Sequence, residues 1–131
     1  MNKMRIAAVV LLVVLLGACG DPNPPKVSPM KTPSRIDDVT GIWRSPQQGT
    51  LELRKNGSYV LITPVSDALA GDYSLSQDRM TMFGDSKACG GAQGTYRIQV
   101  SYQQRLVLTD PDDACAARRN QLTADPFVYG G

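Results

Sequence analysis

The sequence predicts a small all-β domain, an antiparallel up-and-down barrel or sandwich with one short C-terminal helix, preceded by a signal peptide and a disordered tether. Three observations predict this organisation. Apolar and polar residues alternate with period two through much of the chain after residue 40. Turn-forming pairs separate these short runs. Two of the three cysteines fall in the same region, as in small exported domains that gain stability from a covalent link.

An export signal opens the chain. Two basic residues form its charged start, an apolar run follows over residues 6–16, and small residues precede Cys19. The uncharged stretch is shorter than the roughly 20 residues that a bilayer core requires, so a transmembrane helix is the weaker interpretation. The segment Leu16-Gly17-Ala18-Cys19 resembles the lipobox of bacterial lipoprotein precursors, which implies that residues 1–18 are removed and that Cys19 is lipidated.

The residue after the lipidated cysteine bears on the destination. In Gram-negative sorting, an Asp at that position tends to retain a lipoprotein in the inner membrane. Here Gly20 follows Cys19 and Asp21 comes one residue later. The resemblance therefore implies a protein that is lipid-anchored in the cell envelope, at the outer membrane and facing the periplasm.

A tether is predicted over residues 19–39. Five prolines lie among polar residues, so there is little apolar surface to offset the entropy of ordering. Proline-rich spacers favour polyproline II geometry at about 3.1 Å per residue, which gives a reach of up to about 60 Å. A passive spacer is favoured over a PxxP docking motif. The remaining residues, 40–131, are predicted to form one domain.

Charge argues against nucleic acid as a partner. The whole chain has 14 basic and 12 acidic side chains, and removal of Lys3 and Arg5 with the signal peptide leaves 12 of each. A net charge near zero does not provide the basic footprint that nucleic acids require. It also gives no reason to expect electrostatic recruitment to anionic lipid.

The first predicted strands flank a tight turn. Leu51 and Leu53 alternate with polar neighbours, and the pair Asn56-Gly57 suits a hairpin. Residues 59–62 are apolar on both faces, so we expect this strand either to be covered on both sides or to present an exposed apolar edge as an interface.

Two further hairpins follow. Tyr73 and Leu75 alternate with polar residues before a turn at residues 77–78, and the pattern resumes at Met80 and Met82. After the glycine-rich residues 90–94, a longer strand is predicted through Tyr96, Ile98, Val100 and Tyr102, and a last strand through Leu106 and Leu108. The glycine-rich stretch lacks the Lys-Ser/Thr pair of a phosphate-binding loop, so a flexible loop is the better interpretation.

The acidic run at residues 110–113 is predicted to end the last strand. A helix is expected from Asp113 to Thr123, with Asp113 as a possible N-cap. Asp110, Asp112 and Asp113 supply three carboxylates that could hold Ca²⁺. A solvated strand-to-helix turn is favoured over such a site because the run lacks the pattern of an EF-hand loop, and no metal is predicted.

Once Cys19 is lipidated, Cys89 and Cys115 are the two remaining cysteines. In the oxidising compartment that the export signal implies, an even number of cysteines favours a disulfide. We predict a structural disulfide, for which the chain-entropy model gives about 3.5 kcal/mol of stabilisation. A metal pair or a redox couple is less favoured because the chain has no histidine and the two cysteines are not in CxxC spacing.

Several short motifs resemble the small lipocalin-like, or calycin-type, lipoproteins of bacteria. They are Gly41-Ile42-Trp43 at the start of the domain and the runs at residues 51–59, 71–75, 94–96 and 106–108. In lipocalins the Trp packs at the barrel floor under an arginine from near the end of the chain. The resemblance therefore implies that Trp43 is a floor residue covered by Arg118 or Arg119. Strands of five to eight residues, however, would leave only a shallow cup.

Enzyme chemistry is the weakest interpretation. Histidine is absent, no thiol stays free once the cysteines pair, and Glu52 is the only glutamate, so we predict no catalytic residue and no cofactor.

Two classes of function remain. The first is a carrier of a small hydrophobic ligand, although the residues that would line its cavity more simply fill a core. These candidate lining residues are Tyr59, Tyr73, Met80, Met82, Tyr96 and Tyr102. The second, which we favour, is a non-catalytic binding or envelope-accessory module with a periplasmic protein partner. An inhibitor of a periplasmic enzyme such as lysozyme is a further alternative.

Overall fold

The computed structural model describes residues 29–47, 49–65, 67–84 and 87–131. Within them, eight antiparallel strands close into a barrel in chain order, and one short helix, α1 (Ala116–Thr123), lies between the last two strands. The strands are β1 (Gly41–Arg44), β2 (Thr50–Leu53), β3 (Ser58–Ile62), β4 (Leu69–Ser76), β5 (Arg79–Phe83), β6 (Gly94–Ser101), β7 (Arg105–Asp113) and β8 (Phe127–Tyr129). The predicted all-β fold is confirmed, and the barrel is consistent with a lipocalin-like fold.

The period-two alternation of the sequence corresponds to side chains that point alternately into the barrel and out to solvent. Leu51 and Leu53 of β2, Met80 and Met82 of β5, and Tyr96, Ile98 and Val100 of β6 are each at most 1% exposed, while the residues between them are not fully buried. The inward residues of all eight strands form one hydrophobic core. Burying one face of each strand against the others is what closes the sheet.

The connections alternate between two ends of the barrel because consecutive strands are antiparallel neighbours. The β1–β2, β3–β4 and β5–β6 connections and α1 lie at one end, which we call the helix end. The β2–β3, β4–β5 and β6–β7 turns lie at the other, which we call the hairpin end. The chain also enters β1 from the hairpin end.

Strand β7 is longer than predicted, because a β-bulge carries it through the acidic run. The pairing of β6 with β7 shifts register between Thr95 and Arg97, and Asp110 adopts a positive φ of 48°. The bulge inserts one extra residue into β7, which changes the parity of the strand, so that Asp113 follows Leu106 and Leu108 to the inner face. Asp113 is therefore the last residue of β7, and the N-cap of α1 is Cys115, so the prediction that Asp113 begins the helix is wrong.

The chain between residues 31 and 39, predicted as the end of the tether, packs against the barrel; we call it the strap. Lys31 exchanges two backbone hydrogen bonds with Val100 of β6, at 2.9 and 2.8 Å. Pro33 is buried, a 3₁₀ turn follows at Ile36–Asp38, and Val39 is fully buried in the core. The polar, proline-rich composition of this segment gives no sign that it packs on the barrel. A few buried apolar residues are enough to hold it there, because its backbone also pairs with the end of β6.

The barrel is closed by β8, which the sequence did not predict. Its three residues pair with β1 on one side and with β7 on the other. A run this short carries no measurable alternation. No helix within the described residues has the length and apolar character needed to cross a membrane. The predicted signal peptide and the first part of the tether, residues 1–28, lie outside the described residues.

Candidate functional site

The barrel interior is the place where the sequence suggested a ligand. Five of the six candidate lining residues point into it and are at most 3% exposed: Tyr59, Tyr73, Met80, Met82 and Tyr96. They pack into the common core with the other inward side chains. The Tyr73 hydroxyl donates to the Arg54 carbonyl at 2.8 Å, and burial raises the pKa of this phenol to about 12. At these positions the tyrosines and methionines act as core.

Tyr102 does not join them. It follows β6 in the turn to β7, and 60% of its surface is exposed. Its place in the alternating run predicted an inward side chain, but β6 ends at Ser101, where the hairpin begins. The prediction that Tyr102 lines the interior is therefore wrong.

A buried ion pair occupies the helix end of the barrel. Arg118 extends inward from α1, and neither its side chain nor that of Asp113 is exposed. Arg118 Nε donates to Asp113 Oδ2 at 2.6 Å and Nη2 donates to Oδ1 at 2.8 Å, the two-pronged geometry in which an arginine binds a carboxylate most firmly.

Three other groups complete this network. The Tyr96 hydroxyl donates to Asp113 Oδ2 by a short hydrogen bond, and the Cys115 amide donates to Oδ1 at 2.9 Å. Arg118 also donates to the Tyr59 hydroxyl at 3.2 Å and to the Ala92 carbonyl at 2.8 Å. The pair thus ties together β3, β6, β7, α1 and the β5–β6 loop, and we call Arg118, Asp113, Tyr96 and Tyr59 the buried network.

The network keeps its charges despite burial. Burial by itself raises the pKa of the Asp113 carboxyl, but hydrogen bonds from Arg118, Tyr96 and the Cys115 amide bring it below its ordinary value. For Arg118, burial lowers the pKa and the bonds to Asp113 and Tyr59 more than reverse this, so the pKa is raised. Burial and the Asp113 carboxylate both raise the pKa of Tyr96. The shifts favour an ionised Asp113 and Arg118 and a neutral Tyr96.

Gly94 makes room for the buried pair. A Cβ at this position would overlap Asp113 Oδ2 and would lie 2.9 Å from Arg118 Nη2. The glycine at the end of the predicted flexible loop is therefore needed for close approach, which a sequence pattern alone does not distinguish from flexibility.

Trp43, the predicted floor residue, packs against the strap and Tyr129. Trp43 is 1% exposed, its indole Nε1 donates to the Val39 carbonyl at 2.8 Å, and its ring meets the Tyr129 ring edge-on at 5.2 Å. Arg118 is committed to the buried network, and Arg119 Nη1 donates to the Asp113 carbonyl at 3.0 Å. The ring contact of Trp43 is thus with Tyr129. Its cover by Arg118 or Arg119 stays a prediction.

The Cys89–Cys115 disulfide is present and joins the β5–β6 loop to the residue before α1. It holds the helix end together beside the buried network. Cys19, the predicted lipidation site, lies outside the described residues.

The acidic run does not converge on one point. Asp113 faces inward, whereas Asp110 lies on the outside, 3.4 Å from the Arg97 guanidinium. Among the described residues, no group of three or more histidine, cysteine or carboxylate side chains is placed to hold a metal ion.

Two clefts lie outside the core. One, of about 290 Å³, is lined by Thr32, Pro33 and Ser34 of the strap with Leu75 and Gln77. The other, of about 400 Å³, lies at the helix end and is lined by Gln47, Thr63, Val65, Ala117, Asn120 and Gln121. No tyrosine or methionine of the predicted ligand set contributes to either cleft.

Exposed apolar side chains adjoin the larger cleft. Val65 on its rim is 88% exposed, and Ile62 at the end of β3 is 51% exposed. Tyr59 and Leu61 are buried, so the segment predicted as apolar on both faces has an ordinary inner face and an outer face of Val60 and Ile62. We call the larger cleft together with Ile62 and Val65 the helix-end rim.

Two features of the site escaped prediction from the sequence. The buried network depends on the bulge that turns Asp113 inward, and the helix-end rim depends on which loops share an end. The parity change could have been suspected from Asp110-Pro111, since proline inside a strand often marks a bulge. No protein-family model, no curated protein and no solved structure is detectably similar to this chain.

Proposed function

We propose that this chain is an envelope lipoprotein, anchored through Cys19 at the outer membrane and facing the periplasm, whose barrel is a non-catalytic binding or accessory module. Support for the anchor comes from the signal-like start and the lipobox-like residues before Cys19. Fractionation of cells tests the anchor directly: a Cys19→Ser variant should leave the membrane fraction, while the wild type should stay in it. Equal fractionation of both would refute the anchor.

The filled interior is the observation that carries the proposed mode of binding. Met80, Met82 and Tyr96 have no exposed surface, and Tyr59 and Tyr73 have almost none. A carrier of a hydrophobic ligand needs a cavity of about 300 Å³ or more, mostly apolar and inside the fold. The tyrosines and methionines instead pack against one another and the core. A partner is therefore met by the surface of the barrel.

The helix-end rim is the surface we assign to a protein partner. A valine that is 88% exposed, beside a cleft of uncharged polar residues, combines an apolar anchor with hydrogen-bonding groups. Protein interfaces have this composition, with a small apolar centre and a polar surround. The disulfide and the buried network hold the α1 side of this rim in place. An exposed, apolar loop residue of this kind also suits an inhibitor that enters the cleft of a periplasmic enzyme.

Site-specific photocrosslinking tests this assignment in the lipidated protein. A photoreactive residue at Val65 should give a discrete crosslinked protein band in cells. The matched control is Thr109, an exposed residue on the outer face of β7, which should give none. Equal crosslinking from both positions, or none from Val65, would refute the rim as the interface. The identity of the captured protein separates an envelope partner from an enzyme that is inhibited.

A further inference from the structure

The strap fixes where the chain leaves the barrel and how far the barrel can move from its anchor. Lys31 is held to Val100 by two backbone hydrogen bonds, so only residues 20–28 and the short stretch up to Lys31 can separate Cys19 from the fold. A chain spans at most about 3.6 Å per residue, which limits the distance from Cys19 to Lys31 to about 43 Å. This is shorter than the reach of about 60 Å that the sequence suggested. The point at which the chain leaves the barrel, beside Lys31, therefore stays within about this distance of the membrane.

An unusual row of side chains crosses the outer face next to this exit. Ser101 of β6 pairs with Arg105, Arg105 pairs with Val128, and Val128 pairs with Arg44. Adjacent strands are about 4.8 Å apart, so the two arginines lie about 10 Å from each other with Val128 between them. Arg44 and Arg105 are exposed, and Val128 is 50% exposed. Tyr102 follows Ser101 directly and is 60% exposed. We call Arg44, Val128, Arg105 and Tyr102 the arginine row.

The positive charge of this row is not compensated. Neither Arg44 nor Arg105 forms an ion pair within the part of the chain that the structure describes, whereas Arg54, Lys55 and Arg97 each do. The pKa of the Asp38 carboxyl is lowered, chiefly by hydrogen bonds from the backbone amides of Arg35 and Ser34 and to a smaller extent by the charge of Lys31, so we do not count Lys31 in the row. The near-zero net charge of the chain thus conceals a local excess of cations beside exposed valine and tyrosine.

We propose that the arginine row lies against the anionic headgroups of the membrane that holds the anchor, an inference that rests on the proposed lipidation of Cys19. Arginine binds headgroup phosphates, tyrosine favours the interface between headgroups and acyl chains, and each basic residue near an anionic surface raises partitioning by about fivefold. The strap exit makes the membrane, rather than an acidic protein, the anionic surface always within reach. With the row on the membrane, the barrel is held in a defined orientation rather than tumbling on its tether.

Fluorescence quenching by brominated lipid tests this orientation in the full lipidated chain. Tyr102→Trp places an indole in the row, and the signal of Trp43, which is 1% exposed, is subtracted with the wild type. In vesicles of phosphatidylethanolamine and phosphatidylglycerol, we expect the new indole to be quenched at least twofold more than in vesicles of phosphatidylcholine alone. High salt should reduce the difference. Adding Arg44→Gln and Arg105→Gln should abolish it.

A charge-matched control isolates the row. Lys55→Gln with Lys87→Gln removes two exposed cations outside it and should leave the quenching unchanged. Quenching that is the same with and without phosphatidylglycerol, or the same in the arginine double variant, overturns the inference while the protein remains vesicle-bound. Failure of the anchor has a different signature, since the protein would then carry no lipid and would not stay on vesicles of either composition. A photoreactive residue at Tyr102 that captures a protein instead of lipid in cells would also overturn it.

Discussion

Removing one member of the buried ion pair should destabilise the barrel far more than a surface change. We take Arg118→Gln, which leaves the buried Asp113 carboxylate without its guanidinium partner. Both side chains are 0% exposed, so the value for fully buried pairs applies, about 3–5 kcal/mol. An independent estimate agrees with this. Arg118 donates four hydrogen bonds, and at about 1 kcal/mol each these contribute roughly 4 kcal/mol.

The assay is urea unfolding followed by far-UV circular dichroism, with the disulfide intact in every variant. The double variant Arg118→Gln with Asp113→Asn provides the critical comparison, because it removes both charges and allows the two amides to bond with each other. We expect the double variant to be more stable than Arg118→Gln, since no uncompensated carboxylate remains. A loss below about 1 kcal/mol in Arg118→Gln, or additive losses in the double variant, would refute the coupling that the geometry requires.

The other predictions concern the same end of the barrel. Because the folded pKa of Asp113 is lowered, the stability it contributes is fully present above its ordinary pKa of 3.8 and is lost as the pH falls through the lowered value. Unfolding curves between pH 7 and pH 2 should therefore show a smaller acid-dependent loss in Asp113→Asn than in the wild type, and parallel losses would contradict this. Replacing Cys89 and Cys115 by serine should cost about 3.5 kcal/mol in urea unfolding while the circular dichroism spectrum of the barrel persists, and loss of the β spectrum in buffer would show a larger role for the disulfide. Gly94→Ala should cost at least about 2 kcal/mol because its methyl group would displace the buried pair, whereas Gly90→Ala, which has open space but a positive φ of 59°, should cost about 1 kcal/mol. Thermal melts compare the two, and equal costs would show that the clash at Gly94 is relieved.

The alternation of the strands was predictable because each strand buries one face. Leu51 and Leu53, like Met80 and Met82, are separated by a single polar residue. Side chains two residues apart in a strand point to the same face of the sheet. The turn at Asn56-Gly57 was predictable for a similarly local reason, since Gly57 adopts a φ of 87° that favours glycine.

The buried network was not predictable from local pattern. The alternation of β7 would place Asp113 outside, and only the bulge at Asp110 turns it inward. Arg118 belongs to a helix of eight residues whose other charged residue, Arg119, is partly exposed, so nothing in the sequence marks Arg118 as the buried one. The pair forms because its members meet across the barrel, and such long-range contacts leave no periodic signal.

The strap and the arginine row show the same limit at the surface. Residues 31–39 read as a continuation of a proline-rich spacer, yet Val39 is fully buried and Lys31 pairs with β6. Arg44, Arg105 and Val128 are far apart in sequence and become neighbours only through the closure of the barrel by β8. Net charge, which the sequence does provide, does not reveal how charges are distributed over a face.

Native mass spectrometry of the protein extracted from membranes tests the central claim most directly, namely a lipid-anchored barrel with a filled interior. We expect a chain that begins at a lipidated Cys19 and carries no small molecule that survives removal of detergent. A reproducible small-molecule adduct, lost when Met82 or Tyr96 is replaced by a charged residue in a variant that still folds, would contradict the filled interior. A chain without lipid on Cys19 would contradict the anchor.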